Sequence, residues 1–570
     1  MTRLPLVLFL LLAPLLSLRG QQEEFRRAEQ LLKERGEVCF IFPRPPAEVL
    51  QKLSHPLSLD RVDSDSVRAY ANTEGFRYFL EQGLPYRLLL PPATKGRMTA
   101  ASLEEAGGWD VYPTYPQYDS LMHAFAASHP DICHLDTFGT SYQGRLLLAV
   151  KISDNVEKDE DEPAFFYTSS MHGDETGGYV MLLHLIDSLL SGYDQGGLVQ
   201  DLVDSLEIWI NPLANPDGTY HGGDDNVSGA TRYNAEGIDL NRNFPDLVEG
   251  PHPDNHDYAV ENVAMMQFLQ KHHFVMSANF HAGAEVVNYP WDSWTSSERT
   301  HADDAWFYAI SREYADTVHA HAPAGYMTYL ENGVTNGGDW YRISGGRQDY
   351  VTGFLHGREV TIELDNTKIT PAADLLPLWN YNKRSLLNFM EEALRGISGY
   401  VTDSLTGAPV PARLVILHHD DDSCYSCTFS DSLTGYFSRP GISGTHDLLV
   451  TAGGYADKLL SAITIPPDSL VTLTIRMSGP LSKEQFPAAT FTLSPNPVRA
   501  GSTLRLVLPR EDRYTITLTS PAGRQIILIN NKKLSEGSSI LPLPAGIRGL
   551  WLITVAAERS APETRKLIIY

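Results

Sequence analysis

Strand-like apolar runs alternate with helical stretches over residues 109–395, and this alternation most constrains how the chain can fold. Apolar runs of strand length occupy residues 146–152, 163–170, 206–211, 274–280 and 359–364. Segments with a helical pattern, including residues 179–190 and 260–272, lie between them. Strands separated by helices in this way form a sheet that is covered by helices on both faces. The sequence therefore predicts an α/β domain over residues 109–395, with a mixed sheet flanked by helices.

Segments of a different character flank this domain. Before it, residues 21–108 mix helical and strand-like runs and end at a Gly-Gly pair, which predicts a small α+β module. After it, short alternating runs divided by Gly, Pro, Asp and Ser predict two small all-β sandwich domains, over residues 396–478 and 487–570.

The first twenty residues have the pattern of a secretory signal peptide. Arg3 precedes an apolar run over residues 4–18, and Gly20 comes directly before polar residues. A short positive start, an apolar stretch of this length and a small residue at its end predict a cleaved signal over residues 1–20, because a membrane anchor needs about 20 apolar residues. We therefore expect a mature chain without a transmembrane segment that is secreted or lies at the cell surface.

Charge and cysteine content restrict the partners. The chain has 45 Lys and Arg against 70 Asp and Glu, a net charge of -25. Nucleic-acid binding depends on basic residues that neutralise phosphates, so we expect no nucleic-acid partner. Four cysteines are too few for a disulfide scaffold, and the pair Cys424 and Cys427 indicates a local disulfide, or two thiols without a role, in preference to a structural metal site.

A candidate metal site lies at the ends of two apolar runs. His172 and Glu175 follow the run that ends at Ser170, and His281 follows the run that ends at Phe280. In open α/β sheets, binding sites form beyond the carboxyl ends of the strands. Imidazole nitrogens and carboxylate oxygens are usual zinc ligands, and three protein ligands leave a fourth position for water, as in catalytic zinc sites.

Two further features suit a hydrolytic site. In residues 359–364 polar and apolar residues alternate, so Glu363 lies on the polar face of the strand, where it could accept a proton from a water activated by zinc. Arg232 and Arg242 lie ten residues apart in a stretch rich in Asn and Asp. Such a stretch would suit a site that receives one negative charge and stabilises another as it develops, because arginine is the side chain best shaped to bind a carboxylate.

Five motifs together resemble the zinc metallocarboxypeptidase family. They are His172-x-x-Glu175, Asn-Pro-Asp-Gly at residues 215–218, Asn-Ala-x-Gly-x-Asp-Leu-Asn-Arg-Asn-Phe-Pro at residues 234–245, Ser-Ala-Asn-Phe-His at residues 277–281, and Val-Thr-Ile-Glu-Leu at residues 360–364. The match is closer to the regulatory branch of the family, the carboxypeptidases of the E, N, M and D type, than to the digestive branch. It covers residues 109–395, about half of the chain.

The resemblance implies a catalytic role for each matched residue. It implies that His172, Glu175 and His281 bind one Zn²⁺ per catalytic domain. Glu363 would be the general base that activates water and then protonates the leaving amine. Arg232 would polarise the scissile carbonyl and stabilise the oxyanion.

Four other matches concern the substrate and the metal ligands. The resemblance implies that Asn241 and Arg242 bind the terminal carboxylate of the substrate. It implies that Asp239 binds and orients the ring of His172 without contacting the metal itself. Tyr341 matches the mobile tyrosine that covers bound substrate in the family.

The resemblance also implies a preference for a basic C-terminal side chain. In the regulatory branch such a side chain is received by a Gln after a Gly-Gly pair and by an Asp eleven residues beyond the last zinc histidine, and these match Gln348 and Asp292. Arg347 departs from the family pattern at a position where an uncharged residue is expected. If its guanidinium points into the pocket, it would repel a basic substrate or pair with Asp292.

The flanking domains resemble other families. Residues 396–478 are similar to the transthyretin-like sandwich that follows the catalytic domain in the regulatory branch. Residues 487–570 are similar to the C-terminal sorting domain of the bacterial type IX secretion system, which implies the secretion machinery as a partner and export across the outer membrane. Residues 21–108 are either a pro-segment that blocks the cleft until it is cleaved, or a module that merely packs against the catalytic domain.

Three functions remain open from the sequence. The leading one is a secreted zinc carboxypeptidase that acts on the C-termini of peptides or proteins and releases Lys or Arg. A second is a zinc peptidase that acts on the stem peptides of a cell wall. A third is a catalytically silent surface protein that binds peptides or takes part in adhesion.

Overall fold

The computed structural model describes residues 22–90, 98–158, 160–251, 253–420, 425–479, 491–520, 524–557 and 560–570. The signal peptide predicted at residues 1–20 and Cys424 lie outside the described residues, whereas Cys427 is disulfide-bonded. The chain divides into two compact units, one of Met1–Gly453 with Asp457–Met477 and one of Gly454–Ala456 with Ser478–Tyr570. Among the helices described, none combines the length and the apolar character needed to cross a membrane.

Within residues 22–90, the chain forms a small antiparallel sheet with helices packed on it. The helices are α1 (residues 22–35), α2 (Ala47–Leu53) and α3 (Thr73–Glu81). The strands are β1 (Val38–Pro43), β2 (Ser58–Val62), β3 (Ser66–Ala71) and β4 (Arg87–Leu89), in the order β2-β3-β1-β4. The rings of Phe40, Phe76 and Phe79 pack together in the core. Strand β2 lies at an edge of the sheet, so its outer backbone groups are available to another surface.

The body of the first unit is a mixed sheet of eight described strands in the order β11-β10-β12-β9-β7-β8-β6-β5. The strands are β5 (Cys133–Thr140), β6 (Leu146–Ile152), β7 (Ala164–Ser169), β8 (Glu207–Asn211), β9 (Met276–His281), β10 (Glu285–Tyr289), β11 (Val334–Asn336) and β12 (Arg358–Leu364). The four central strands, β8, β7, β9 and β12, run parallel to one another. On one side β6 pairs antiparallel with β8 and β5 pairs antiparallel with β6, and on the other side β10 pairs antiparallel with β12. Strands β10 and β11 are parallel to each other.

Helices cover both faces of this sheet. They are α4 (Leu103–Ala106), α5 (Tyr115–Ser128), α6 (Gly177–Gly192), α7 (Leu198–Val203), α8 (Pro216–Thr219), α9 (Val260–His272), α10 (Asp304–His321), α11 (Tyr329–Gly333), α12 (Gly337–Trp340), α13 (Arg347–Phe354) and α14 (Ala372–Glu391). Short 3₁₀ turns lie at Tyr193–Gln195, Leu240–Arg242 and Glu392–Leu394.

The predicted α/β fold with a mixed sheet is confirmed. Strand β6 and helix α9 have the bounds that the sequence pattern predicts. Strand β7 is apolar at consecutive positions because both of its faces are covered, as expected of a strand inside a parallel sheet. On one face Tyr167 donates a hydrogen bond to the carbonyl of Leu386 in α14 at 2.9 Å, and on the other Phe166 packs against Phe268 of α9.

Residues 98–108 pack with the eight-stranded sheet. The Gly-Gly pair at the end of this segment predicts that it belongs to the N-terminal module. In the structure, however, Met98, Ala100 and Ala106 are buried in the same cluster as Tyr112 and the helices of the α/β body. Their contacts therefore lie with the body and not with the core of residues 22–90.

The rest of the first unit is β-rich. Its described strands are β13 (Gly396–Asp403), β14 (Arg413–Ile416), β15 (Thr428–Phe429), β16 (Tyr436–Pro440), β17 (Gly444–Thr451), β18 (Lys458–Ile465) and β19 (Leu470–Met477). They form two sheets, β16-β13-β19 and β15-β14-β17-β18. We call this part the sandwich.

The second unit is also β-rich. Its described strands are β20 (Thr492–Ser494), β21 (Thr503–Leu508), β22 (Asp512–Thr519), β23 (Gln525–Leu534), β24 (Gly537–Pro542), β25 (Gly549–Ala557) and β26 (Ser560–Ile569). They form the sheets β20-β21-β24 and β23-β22-β25-β26, with Tyr514 and Trp551 in the apolar core. Both β-rich regions agree with the alternating pattern of the sequence.

A buried ion-pair network joins the sandwich to the α/β body. Asp303 accepts hydrogen bonds from Arg358 of β12 at 3.0 Å, from Arg439 of β16 at 2.9 Å and from His419 at 2.7 Å. Arg439 also donates to Asp420 at 2.7 Å. Asp303, His419 and Asp420 are close enough to hold a metal ion, but two guanidinium groups already neutralise the two carboxylates. The cluster is therefore complete as an internal ion-pair network.

We expect Arg439→Ala to lower the free energy of unfolding of the first unit by about 3–5 kcal/mol, because it leaves buried carboxylates without their partner. Calorimetric and urea unfolding would measure the change. Lys271→Ala is the control, since the ion pair of Lys271 with Asp136 is exposed and worth less than about 1 kcal/mol. Equal losses in the two variants would contradict the assignment.

Candidate active site

His172, Glu175 and His281 meet at the carboxyl ends of two neighbouring parallel strands. His172 follows β7 and His281 is the last residue of β9, and these strands pair in register. His172 Nδ1 lies 2.9 Å from Glu175 Oε1, and His281 Nδ1 lies 2.7 Å from Glu175 Oε2. The two Nδ1 atoms are 3.0 Å apart. All three side chains are buried, so the potential ligand atoms converge on one enclosed point.

The hydrogen bond between His172 and Asp239 fits a bound cation. His172 Nε2 lies 3.1 Å from the carboxylate of Asp239, which can only accept, so Nε2 carries the proton and Nδ1 of the neutral ring carries a lone pair. That lone pair faces the carboxylate of Glu175, and two acceptors face each other stably only with a cation between them. Burial lowers the pKa of His281 to about 4, so this ring is neutral at neutral pH, as a metal ligand must be. The nitrogen and oxygen donor set is that of Zn²⁺.

Asp239 connects the candidate metal ligand His172 to the neighbouring cation Arg232. One of its oxygens faces His172, and the other accepts a hydrogen bond from Arg232 Nε at 3.0 Å. Burial alone would raise the pKa of Asp239, but Arg232 and His172 hold it well below its usual range. The carboxylate is therefore ionised and can orient the imidazole.

Glu363 lies at the end of β12, directly beside His281 of β9 in the strand register. Its Oε2 atom is buried, and no group among the described residues forms a hydrogen bond with it. Burial raises the pKa of Glu363 well above its usual range, and the charge of Glu175 raises it further. An unpaired carboxyl group with a raised pKa beside a metal-binding cluster has the properties of a general base.

One cavity contains most of the side chains that the sequence analysis selects. It is lined by His172, Glu175, Arg232, Asn241, Arg242, His281, Asp292, Tyr341 and Glu363. Gln348 lies behind the cavity wall, where its amide donates to Asn288 Oδ1 at 3.4 Å, and Asn288 lines the cavity. Asp239 also lies behind the wall and reaches the site through His172.

Asp292 is a buried carboxylate without a cationic partner. It is 4% exposed, and its side chain accepts one hydrogen bond, from Asn288 at 3.2 Å. Burial raises the pKa of Asp292 well above its usual range, and neighbouring Asp349 raises it further. Within the described part of the chain, no Lys, Arg or His forms an ion pair with Asp292, so a cation brought by a ligand would be stabilised there.

Arg347 points away from this pocket. Its guanidinium forms an ion pair with Glu359, with Nη2 and Oε2 2.7 Å apart, and both side chains are fully buried. It also lies over the ring of Phe166 at 5.4 Å. The departure from the family pattern at Arg347 therefore places no positive charge beside Asp292.

Edge strand β2 of the N-terminal module enters the same cavity. The carbonyl of Leu59 accepts hydrogen bonds from the Tyr341 hydroxyl at 3.2 Å and from Arg242 Nη2 at 3.4 Å. Asp60 Oδ1 lies 2.6 Å from Lys368 Nζ and 3.7 Å from Arg232 Nη1. Ser58, Leu59 and Asp60 therefore occupy groups that the sequence analysis assigns to the substrate and to the metal site.

Sequence reasoning missed three residues of the site. Lys368 Nζ lies 2.5 Å from Glu175 Oε1, Asn288 lines the pocket from β10, and Asp60 comes from a separate module. Lys368 lies five residues after Glu363, so the polar turn after that apolar strand was the available signal. Asp60 has no signal in its local sequence, because its partners at the site, Lys368 and Arg232, are more than 170 residues away.

Comparison with known proteins gives consistent matches. The family model "Zinc carboxypeptidase" matches residues 118–385. Carboxypeptidase M of Mus musculus is 34% identical over 370 residues, which are 62% of this chain and 80% of that protein. The carboxypeptidase N catalytic chain of Rattus norvegicus is 33% identical over 393 residues, 62% of this chain and 83% of that protein.

Carboxypeptidase D of Homo sapiens is 33% identical over 353 residues, which are 60% of this chain. The aligned part is 25% of that protein, so the chain spans about a quarter of the length of its carboxypeptidase D relatives. These matches, together with a His, Glu and His cluster that fits Zn²⁺, show that the chain belongs to the zinc carboxypeptidase family.

Proposed function

We propose that the chain is a zinc-dependent carboxypeptidase that hydrolyses the last peptide bond of peptides or proteins and releases Lys or Arg. The observation that carries this proposal is the cavity in which three metal-ligand candidates, an unpaired glutamate and two arginines lie together. A site of this composition has the groups needed to activate water, stabilise an oxyanion and hold a terminal carboxylate.

Each of these groups has a distinct task in the proposed reaction. Zinc, when held by His172, Glu175 and His281, supplies Lewis-acid activation of a water and of the scissile carbonyl. Glu363 accepts a proton from the attacking water and then delivers it to the leaving amine. Arg232 donates to the carbonyl oxygen as negative charge develops there.

Binding of the substrate end is assigned to a separate group of residues. Arg242 Nε has no hydrogen-bond partner in the described structure, and Arg242 Nη2 and the Tyr341 hydroxyl both donate to one oxygen, the Leu59 carbonyl. The terminal carboxylate of a substrate offers two such oxygens, so it fits these donors better than a single carbonyl does. Asn241 lines the cavity beside them.

The charge of the pocket supports the preference for Lys or Arg. Asp292 is buried without a cation, while Arg347 is neutralised by Glu359 outside the pocket. A basic C-terminal side chain would supply the missing partner of Asp292, whereas an apolar or acidic one would leave this carboxylate unpaired. This difference favours a basic C-terminal residue over an apolar or acidic one.

The contacts that the N-terminal module makes in the cavity support the proposal that the uncleaved chain is a latent form of the enzyme. Leu59 engages the proposed carboxylate donors and Asp60 pairs with Lys368 beside the metal ligands. A substrate runs from the metal site towards Arg242 in the direction from N- to C-terminus, whereas the segment from Leu59 to Asp60 runs the opposite way. The module would thus exclude substrate without presenting a peptide bond in the direction that is cleaved.

The proposal extends to placement outside the cell. A signal peptide at residues 1–20, a transthyretin-like domain at residues 396–478 and a type IX sorting domain at residues 487–570 would suit a secreted or surface enzyme. Support comes from the sequence motifs and from the paired sheets in the two β-rich regions.

The first prediction concerns substrate choice. The zinc-loaded full chain would be treated briefly with trypsin, the trypsin inhibited, and the site of cleavage determined by mass spectrometry, with Lys95 and Arg97 as the sites sought. We expect the chain cleaved there to release C-terminal Arg and Lys from blocked peptides. Peptides that end in Leu or Glu should be cleaved at least about 100-fold more slowly, and a chelator should abolish release. Preferential release of Leu or Glu would reject the pocket assignment, and release of none would favour a binding protein.

The second prediction concerns the general base. Glu363→Gln should lower kcat about 10²- to 10⁴-fold, because the amide cannot accept the proton, while the bound zinc measured by mass spectrometry stays at the wild-type level. Glu285→Gln is the matched control, since Glu285 lies on β10 outside the cavity and should keep near-normal activity. Full activity of Glu363→Gln would reject the mechanism.

The third prediction concerns latency. Asp60→Ala removes the partner of Lys368 and should raise the activity of the uncleaved full chain by about 10-fold or more, because a buried charge pair holds the module in the cleft. Asp65→Ala, at an exposed position of the same module, should have no effect. Equal activity before and after trypsin cleavage in the wild type would show that the module only packs against the body.

A further inference from the structure

A second buried carboxylate lies directly behind the specificity pocket. Asp349 is in the first turn of α13 and is 2% exposed. It accepts hydrogen bonds from the backbone N–H of Asp292 at 2.9 Å, from the backbone N–H of Ser293 at 2.8 Å and from the Ser293 hydroxyl at 2.6 Å. All of these bonds hold the loop that carries Asp292.

The loop that carries Asp292 is also held through the two residues before it, since the Gly338 N–H donates to the Trp291 carbonyl at 2.7 Å and the Asn336 amide donates to the Pro290 carbonyl at 2.9 Å. It follows β10 and contains no helix or strand at Asp292. The carbonyl of Asp292 accepts one longer hydrogen bond, from Ile343 N–H at 3.3 Å. The two N–H groups that set the direction of the Asp292 side chain both donate to Asp349. The position of the pocket carboxylate therefore depends on Asp349.

The Asp292 carboxylate fits its surroundings tightly. A methyl group built on Gly337 would lie 1.9 Å from Asp292 Oδ1, and on another side Asn288 donates to the same oxygen at 3.2 Å. A small shift of the loop would break the bond to Asn288 or bring the carboxylate against Gly337. Binding sites lose selectivity when a key group moves by about 1 Å, because charge-assisted hydrogen bonds depend strongly on distance and angle.

Three consecutive side chains of α13 organise this wall of the pocket. Arg347 binds Glu359, Gln348 binds Asn288, and Asp349 binds the backbone of the Asp292 loop. One helical turn thus holds both Asn288 and the loop of Asp292, which line the cavity. Burial raises the pKa of Asp349 to about 6, so at neutral pH Asp349 accepts these hydrogen bonds mainly as a carboxylate.

We propose that Asp349 is a positioning residue that sets the preference of the site for a basic C-terminal side chain. It holds the N–H groups of Asp292 and Ser293, and so keeps the Asp292 carboxylate at the place where a substrate cation binds. Asp349 itself lies behind the pocket and does not touch the substrate. The inference rests on the proposed carboxypeptidase function and its basic preference.

The test compares two substrates that differ only in the last residue, Arg or Leu. The zinc-loaded, trypsin-cleaved full chain would be assayed as wild type, Asp349→Ala, Asp349→Asn and Asp292→Asn, with kcat and KM measured separately. We expect Asp349→Ala to lower the Arg-to-Leu ratio of kcat/KM about 10- to 100-fold, mainly through a higher KM for the Arg substrate. Activity on the Leu substrate should change less than about 3-fold.

Conservative variants separate positioning from a general structural role. Asp349→Asn keeps one acceptor oxygen, and Ser293→Ala removes one of the three bonds, so both should give smaller losses of selectivity than Asp349→Ala. Asp217→Asn is the matched control, since Asp217 is a buried carboxylate that holds Ser141 and the backbone of Gln143 in another loop. It should affect both substrates alike.

The possible outcomes distinguish this inference from the proposed function. If the wild type does not prefer Arg, the basic preference fails and the role of Asp349 fails with it. If the wild type prefers Arg, Asp292→Asn removes the preference and the Asp349 variants keep it, the inference on Asp349 alone is overturned. If Asp349→Ala does not fold, the selectivity of Asp349→Asn and Ser293→Ala decides, and an unchanged ratio in both overturns the inference.

Discussion

The neutralisation of buried carboxylates is the constraint on which the cleft depends. Glu175 and Asp239 are buried at the metal site, and each buried ion costs several kcal/mol unless a partner compensates it. Arg232 bridges the two, and Lys368 adds a second cation beside Glu175. Strands β7 and β9 bring these charges together only because their carboxyl ends share one edge of the sheet. The position of the site is therefore set both by the shared edge of the sheet and by the pairing of buried carboxylates with cations.

Two carboxyl groups of the cleft differ from the others because they have no paired cation. Asp292 and the Oε2 atom of Glu363 are buried, with no cation paired to either carboxyl group among the described residues, and burial raises both pKa values. Unpaired groups of this kind are costly for folding, and they are the groups that gain most when a ligand arrives. The cleft thus separates carboxylates that are paired with cations from the two that the proposed function assigns to the reaction and to the substrate.

The sequence predicts the parts of the structure that depend on local pattern. Apolar runs identify β6, β7, β9 and β12, and the residues that follow β7 and β9 are the metal-ligand candidates. The direction of Arg347 could not be predicted, because it is decided by Glu359, which is twelve residues away in another element. Asp60 was also out of reach, since an edge strand carries no pattern that names the surface it meets. Local periodicity determines elements, whereas the pairing of buried charges depends on the finished fold.

Strand β12 connects the site to the sandwich in a way that limits how the chain can be divided. Its first residue, Arg358, binds Asp303, which in turn binds Arg439 of the sandwich, and Glu363 lies near its other end. The strand therefore has one end anchored outside the α/β body and the other end in the cleft. Shortening the gene at residue 396 would leave Asp303 with a single arginine and would loosen the strand that carries Glu363. The α/β body and the sandwich therefore have to be kept together when the chain is shortened, although they look like separate domains along the sequence.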